Sequence, residues 1–107
     1  MRRLLTAPPS RNELLSSHEP PVDLDDRYRL SPSVSLRPER FGALAYHFGN
    51  RKLSFLKHPD LVRVVESFDG SRSVRDAFAE VGVDERRWPA FVRALGTLRD
   101  SEMLDAA

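Results

Sequence analysis

The order of patterns along this chain predicts an α+β domain, a three-stranded antiparallel sheet followed by three helices. Short runs with polar–apolar alternation occupy the stretch from Ser33 to Leu56, punctuated by Pro38 and Gly49-Asn50. Apolar stripes at helical spacing then extend from Leu61 to Leu98. The length of 107 residues leaves room for one domain.

The first 24 residues stand apart. They hold four of the eight prolines, Pro8, Pro9, Pro20 and Pro21, while all nine aromatics lie between Tyr28 and Phe91. Such a segment buries too little apolar surface to offset an ordering cost of roughly 1–2 kcal/mol per residue. Residues 1–24 are expected to form a flexible arm, and residues 25–107 the folded domain.

The first strand is Ser33-Val34-Ser35-Leu36-Arg37, bracketed by Pro32 and Pro38. The second is Phe41 to Phe48 and the third Arg51 to Leu56, joined by Gly49-Asn50. That pair suits a two-residue hairpin loop, whose favoured turns need positive φ at one or both central positions. The loop sets Phe48 opposite Arg51, Tyr46 opposite Leu53 and Leu44 opposite Phe55. Leu44, Tyr46, Phe48, Leu53 and Phe55 then share one apolar face, which the helices are expected to cover. Ala43, Ala45, His47, Lys52, Ser54 and Leu56 lie on the other.

His58-Pro59-Asp60 opens the first helix, because proline suits the first turn. Its stripe is Leu61, Val64, Val65 and Phe68, and Asp69-Gly70 stops it. Ser73 with Asp76 resembles a variant capping box for the second helix, striped with Val74, Ala77, Phe78 and Val81 and ended by Gly82. The third carries Trp88, Phe91, Val92, Leu95 and Leu98. Asp84 can cap it, but Pro89 then falls past the tolerated first turn, so the regular helix can equally begin near Trp88. Met103 and Leu104 close the chain as an apolar tuck.

Composition removes several function classes. The chain has no cysteine, so disulfides, thiol catalysis and thiolate-held zinc or iron–sulfur centres are excluded. His18, His47 and His58 lack ligand spacing, and no nucleophile elbow, phosphate loop or dinucleotide fingerprint occurs. No catalytic residue, metal site or cofactor is therefore expected. No run of 18 apolar residues is present, and the opening Met1-Arg2-Arg3-Leu4-Leu5 is cut short as a signal peptide by Pro8, Pro9 and Arg11. No membrane association is expected, and a cytoplasmic location is the default.

A small winged-helix-like DNA-binding regulator is the alternative, suggested by Arg86-Arg87 with Arg72, Arg75, Arg93 and Arg99. Across residues 69–105, however, six basic residues meet eight acidic ones, and the whole chain carries only +1. A nucleic-acid surface needs a net basic field, so no nucleic acid is expected as a partner.

The third strand carries no proline and would be a sheet edge able to accept an extra strand from a peptide. Lys52 and Lys57 would favour an acidic guest, or they guard the edge against aggregation. Physical reasoning leaves these two readings level.

A resemblance separates them. The stretch from Arg37-Pro38-Glu39-Arg40-Phe41-Gly42 through Tyr46-His47-Phe48-Gly49-Asn50-Arg51-Lys52 to Lys57 closely resembles the mycofactocin biosynthesis peptide chaperone (MftB) family, and Tyr28-Arg29-Leu30 also fits. From Phe68-Asp69-Gly70 to Leu104 the chain is similar, more generally, to the PqqD-like precursor-peptide recognition domains. The resemblance spans roughly residues 26–104. It implies a non-catalytic protein that binds the leader of a ribosomally made precursor and presents it to a radical S-adenosylmethionine (SAM) maturase. That enzyme would decarboxylate and cross-link a C-terminal Val-Tyr pair on the way to a redox cofactor. In the wider group the leader adds as a strand between the third strand and the third helix. Carried onto this chain, Lys52, Leu53, Ser54, Phe55 and Leu56 are the backbone partner, with Ser54 the expected strand donor. Phe91, Leu95 and Leu98 form the opposing wall. Arg51, Lys52, Lys57 and Arg87 suit an acidic leader.

Overall fold

The computed structural model describes residues 21–107. In chain order the elements are β1 (Arg27–Leu30), β2 (Val34–Glu39), β3 (Gly42–His47), β4 (Leu53–Leu56), α1 (Pro59–Ser67), β5 (Asp69–Ser73), α2 (Val74–Val81), α3 (Trp88–Asp100) and β6 (Leu104–Ala106). Two antiparallel three-stranded sheets result, ordered β2-β3-β4 and β5-β1-β6.

The helix limits follow local chemistry. His58 caps α1, its Nδ1 accepting from the Asp60 amide at 3.0 Å. Ser73 Oγ accepts from the Asp76 amide at 3.1 Å and caps α2, which stops at Gly82 in the left-handed conformation (φ 84°). Asp84 caps a single 3₁₀ turn over Glu85–Arg87, and α3 proper starts at Trp88, which puts Pro89 in its first turn. Most of each predicted stripe is buried, Leu61, Val64 and Val65 on α1, Val74, Ala77 and Phe78 on α2, Phe91, Leu95 and Leu98 on α3, while Val81, Trp88 and Val92 are only half-buried. Phe78 and Leu95 are fully buried. Each such side chain is worth about 1.5–3 kcal/mol relative to exposure.

The hairpin register is as expected, with Tyr46 opposite Leu53 and Leu44 opposite Phe55. Its turn is not. His47 closes it by donating to Lys52 O at 3.0 Å while its own carbonyl accepts from Arg51 N at 2.8 Å. The positive φ falls on Arg51 (64°) rather than on Gly49 or Asn50. His47 Nδ1 accepts from the amides of Gly49 and Asn50 at 3.0 and 3.2 Å, so a side chain holds the loop in this wider form.

The expectation that the helices cover the large-residue face is overturned. α1 packs on β3 and β4 through the opposite face, where Ala43, Ala45 and Leu56 are buried. The two alanines let the helix come close to the sheet. Phe48, Leu53 and Phe55 are left 61%, 58% and 59% exposed. Gly42 tightens the same packing, since its φ of 150° and the Leu56 carbonyl leave no space for a Cβ.

The second sheet is absent from the sequence-based expectation. β1 pairs with β5 (Arg27 opposite Ser73) and with β6 (Tyr28 opposite Ala106). β5 reads Asp-Gly-Ser-Arg-Ser and has no apolar pattern, so only the partner backbone makes it a strand. Residues 1–20 of the expected arm lie outside the described residues. Among its described residues, Val22 is buried and Leu24 packs against the core.

Candidate functional site

β4 ends its sheet, and α3 runs alongside it. Between them lies a groove in two adjoining parts. One, of about 360 Å³, is lined by Leu53 to Lys57 together with Ala94, Thr97 and Leu98. The other, of about 270 Å³, is lined by Phe55, Lys57, His58 and Leu61 against Arg87, Ala90, Phe91 and Ala94. Phe55, Lys57 and Ala94 belong to both parts, so the groove is continuous along the strand.

Contacts at both ends set its width. At the hairpin tip, Asn50 Nδ2 donates to the carbonyl of Ser101, just past α3, at 3.0 Å. At the other end the His58 ring meets Phe91 edge to face, with centroids 5.5 Å apart. The chain's own contacts therefore brace the strand edge and the helix on either side of the groove.

Opposed residues in an antiparallel pair alternate between exchanging both backbone hydrogen bonds and exchanging none. His47 bonds Lys52, so the next pairs that exchange bonds are Ala45–Ser54 and Ala43–Leu56. The β2 side agrees. Phe48 N donates to Ser33 O at 2.8 Å, a phase that turns Tyr46 and Leu44 toward β2. Leu53 and Phe55 consequently direct their N–H and C=O away from the sheet, at the edge that borders the groove. Ser54, the donor expected from the sequence, instead serves the inner ladder. The same phase puts Pro38 on the outward side of β2, where its missing N–H weakens no ladder bond and blocks the opposite edge.

Of the residues the sequence singled out, Leu53, Ser54, Phe55, Leu56, Lys57, Arg87, Phe91 and Leu98 meet around this groove. Arg51 and Lys52 sit in the hairpin loop, exposed and outside its lining. Leu95 is fully buried in the core and is not part of the wall. The helix wall is completed by Ala90, Ala94 and Thr97, which the sequence reading missed. Strands β2 to β4 and their loops (residues 33–57) hold five basic residues against one acidic, Glu39, although the chain as a whole is nearly neutral.

No group of three or more His, Asp or Glu side chains placed to hold a metal occurs among the described residues. Both described histidines accept backbone amide hydrogens, as a helix cap and a loop brace. None of the described helices is long and apolar enough to cross a membrane.

A family model described as the peptide chaperone MftB family matches residues 27–105. The chain belongs to this family. It is 42% identical over 104 residues to the peptide chaperone MftB of Mycobacterium ulcerans (strain Agy99), covering 97% of this chain and 94% of that one. It is 43% identical over 102 residues to that of Mycobacterium tuberculosis (strain ATCC 25618 / H37Rv), covering 94% and 92%. For Mycolicibacterium smegmatis (strain ATCC 700084 / mc(2)155) the identity is 46% over 82 residues, covering 77% and 80%. No solved structure matches the chain. The family is one of peptide chaperones, not of enzymes.

Proposed function

We propose that this protein is a peptide chaperone of mycofactocin biosynthesis. It binds the leader of the precursor peptide as an added strand along β4 and presents it, in the cytoplasm, to a radical SAM maturase. The observation that carries this reading is the outer edge of β4, unpaired among the described residues, facing α3 across a groove. Family membership supports a peptide guest, and the basic hairpin supports an acidic one.

The binding step needs little of the chain. Leu53 and Phe55 each offer one N–H and one C=O to the guest backbone, at about 0.5–1.5 kcal/mol net per hydrogen bond. Guest side chains on one side of the added strand enter between Ala94, Leu98 and Phe91, and this burial supplies selectivity. Lys57 and Arg87 at the far end attract carboxylates. Tethering the peptide to a docked maturase raises its effective concentration to the millimolar range typical of short linkers, roughly.

Calorimetric titration of the protein with a synthetic leader peptide tests the reading. Saturable one-to-one binding that weakens with added salt is expected. A folded protein that fails to bind the leader at physiological salt overturns it.

A further inference from the structure

The apolar face left uncovered by the helices adjoins the groove and shares Leu53 and Phe55 with it. Phe41, Phe48, Leu53 and Phe55 are 40–61% exposed there, flanked by half-buried Leu44 and Tyr46. Together the four leave on the order of 400 Å² of apolar surface open, a size at which a patch on a monomer is often functional. The aromatics are already arranged. Phe41 and Phe55 meet edge to face at 5.8 Å, as do Tyr46 and Phe48 at 5.4 Å. Phe41, Phe55 and Lys57 line a hollow of about 350 Å³, deep enough for a large side chain from a partner.

We propose that this face of β2–β4 is a second docking surface, for a folded protein whose contact patch is apolar and rimmed by carboxylates. Charge selects that chemistry. On this face or in the turns that border it, Arg37, Arg40, Arg51 and Lys57 stand against Glu39 alone, and since Arg37 pairs with Glu39 at 3.2 Å, Arg40, Arg51 and Lys57 make the basic excess. A second copy of this chain fits poorly, because a two-fold pairing of the face would set this basic rim against itself. Position supplies the purpose. Phe55 belongs to the groove and to this face, so a protein seated here lies against a peptide held along β4. Identifying the occupant with the maturase rests on the proposed function.

Phe48→Ser and Arg37→Glu test the surface, since neither residue lines the groove and both are exposed. The probes are the purified maturase and the leader peptide, titrated separately. The expected result is a maturase affinity reduced at least about tenfold, as for a central interface anchor, with leader affinity changed less than about twofold. Unchanged maturase affinity in both folded variants overturns the docking surface and leaves the peptide reading intact. A wild-type protein that binds leader but not maturase overturns presentation and this surface together. Equal loss of leader binding assigns the face to the peptide site and overturns the proposal. Sedimentation showing a dimer that Phe48→Ser dissolves, or anionic vesicle binding that it abolishes, overturns it in favour of those occupants.

Discussion

Asn50 and Ser101 are 51 positions apart, yet the Asn50 side-chain amide donates to the Ser101 carbonyl at 3.0 Å. The same side chain accepts from the Lys52 amide at 2.9 Å, so one residue shapes the hairpin loop and ties it to the end of α3. This bond and the His58–Phe91 contact are the two ends of a frame around the groove.

Asn50→Asp keeps the acceptor for Lys52 but sets a carboxylate against a carbonyl. Stability should fall by about 1 kcal/mol, the worth of one hydrogen bond with its partner left unsatisfied. Leader affinity should fall several-fold more than stability alone explains, because one end of the frame opens. Thermal unfolding and calorimetric titration of the variant measure the two effects. Unaltered binding would show that the groove holds its width without this tie.

Ala94 faces the groove from the middle of α3 and belongs to both of its parts. Ala94 is half-buried, with one flank on the core and the other on the groove, so Ala94→Leu adds three carbons on the groove side, and leucine is a good helix former. The melting temperature should stay within a few degrees, roughly, since surface changes of this kind are small. Leader binding should drop by at least about tenfold through lost space for the guest strand. A protein that melts as wild type and binds as wild type would place the guest elsewhere.

The uneven legibility of this chain has physical causes. Pairing register was readable because alternation and a short loop admit one arrangement, and helix limits because His58, Ser73 and Gly82 carry capping chemistry in their side chains or their lack of one. The covered face of the sheet was not. Both faces are apolar enough to bury, and the choice fell to Ala43 and Ala45, whose small size brings a helix close. The helix wall was hidden for a related reason. Apolar periodicity marks Phe91, Leu95 and Leu98, of which Leu95 is wholly in the core and the other two reach the groove floor, whereas Ala90, Ala94 and Thr97 on the groove flank carry little hydropathy. β5 gave no signal because its strand state comes from β1.

Tyr28 sits at the centre of that second sheet, 4% exposed, its ring 6.1 Å from Phe68 and its hydroxyl 3.1 Å from Asp26 Oδ2. Burial pushes its pKa above the ordinary tyrosine value, and the Asp26 hydrogen bond adds to the rise against the opposing pull of Arg99. The sign follows from which state holds the proton longer. Above pH 10, roughly the unfolded value, the unfolded chain loses the phenolic proton first, so stability declines as pH climbs through the folded pKa. Tyr28→Phe should cost about 1 kcal/mol at neutral pH and flatten this alkaline decline. Thermal melts of both proteins from neutral to strongly alkaline pH check it, and parallel curves would assign the alkaline loss to other groups.

Proline substitutions at neighbouring positions of β4 separate the inner ladder from the guest edge. Ser54 bonds toward β3 and Phe55 toward the groove, by the alternation that His47–Lys52 and Phe48–Ser33 fix. Ser54→Pro removes a ladder bond inside the sheet and leaves the Ala45 carbonyl without its donor, which should destabilise the fold by about 1–3 kcal/mol. Phe55→Pro removes an N–H that no described strand uses, so the fold should persist with a modest loss. Its leader affinity should fall at least about tenfold beyond that of Phe55→Ala, which lacks the side chain but keeps the donor. Circular dichroism melts and calorimetry on the three variants supply the comparison. If Phe55→Pro and Phe55→Ala bind the leader equally, the guest does not add to β4 through its backbone.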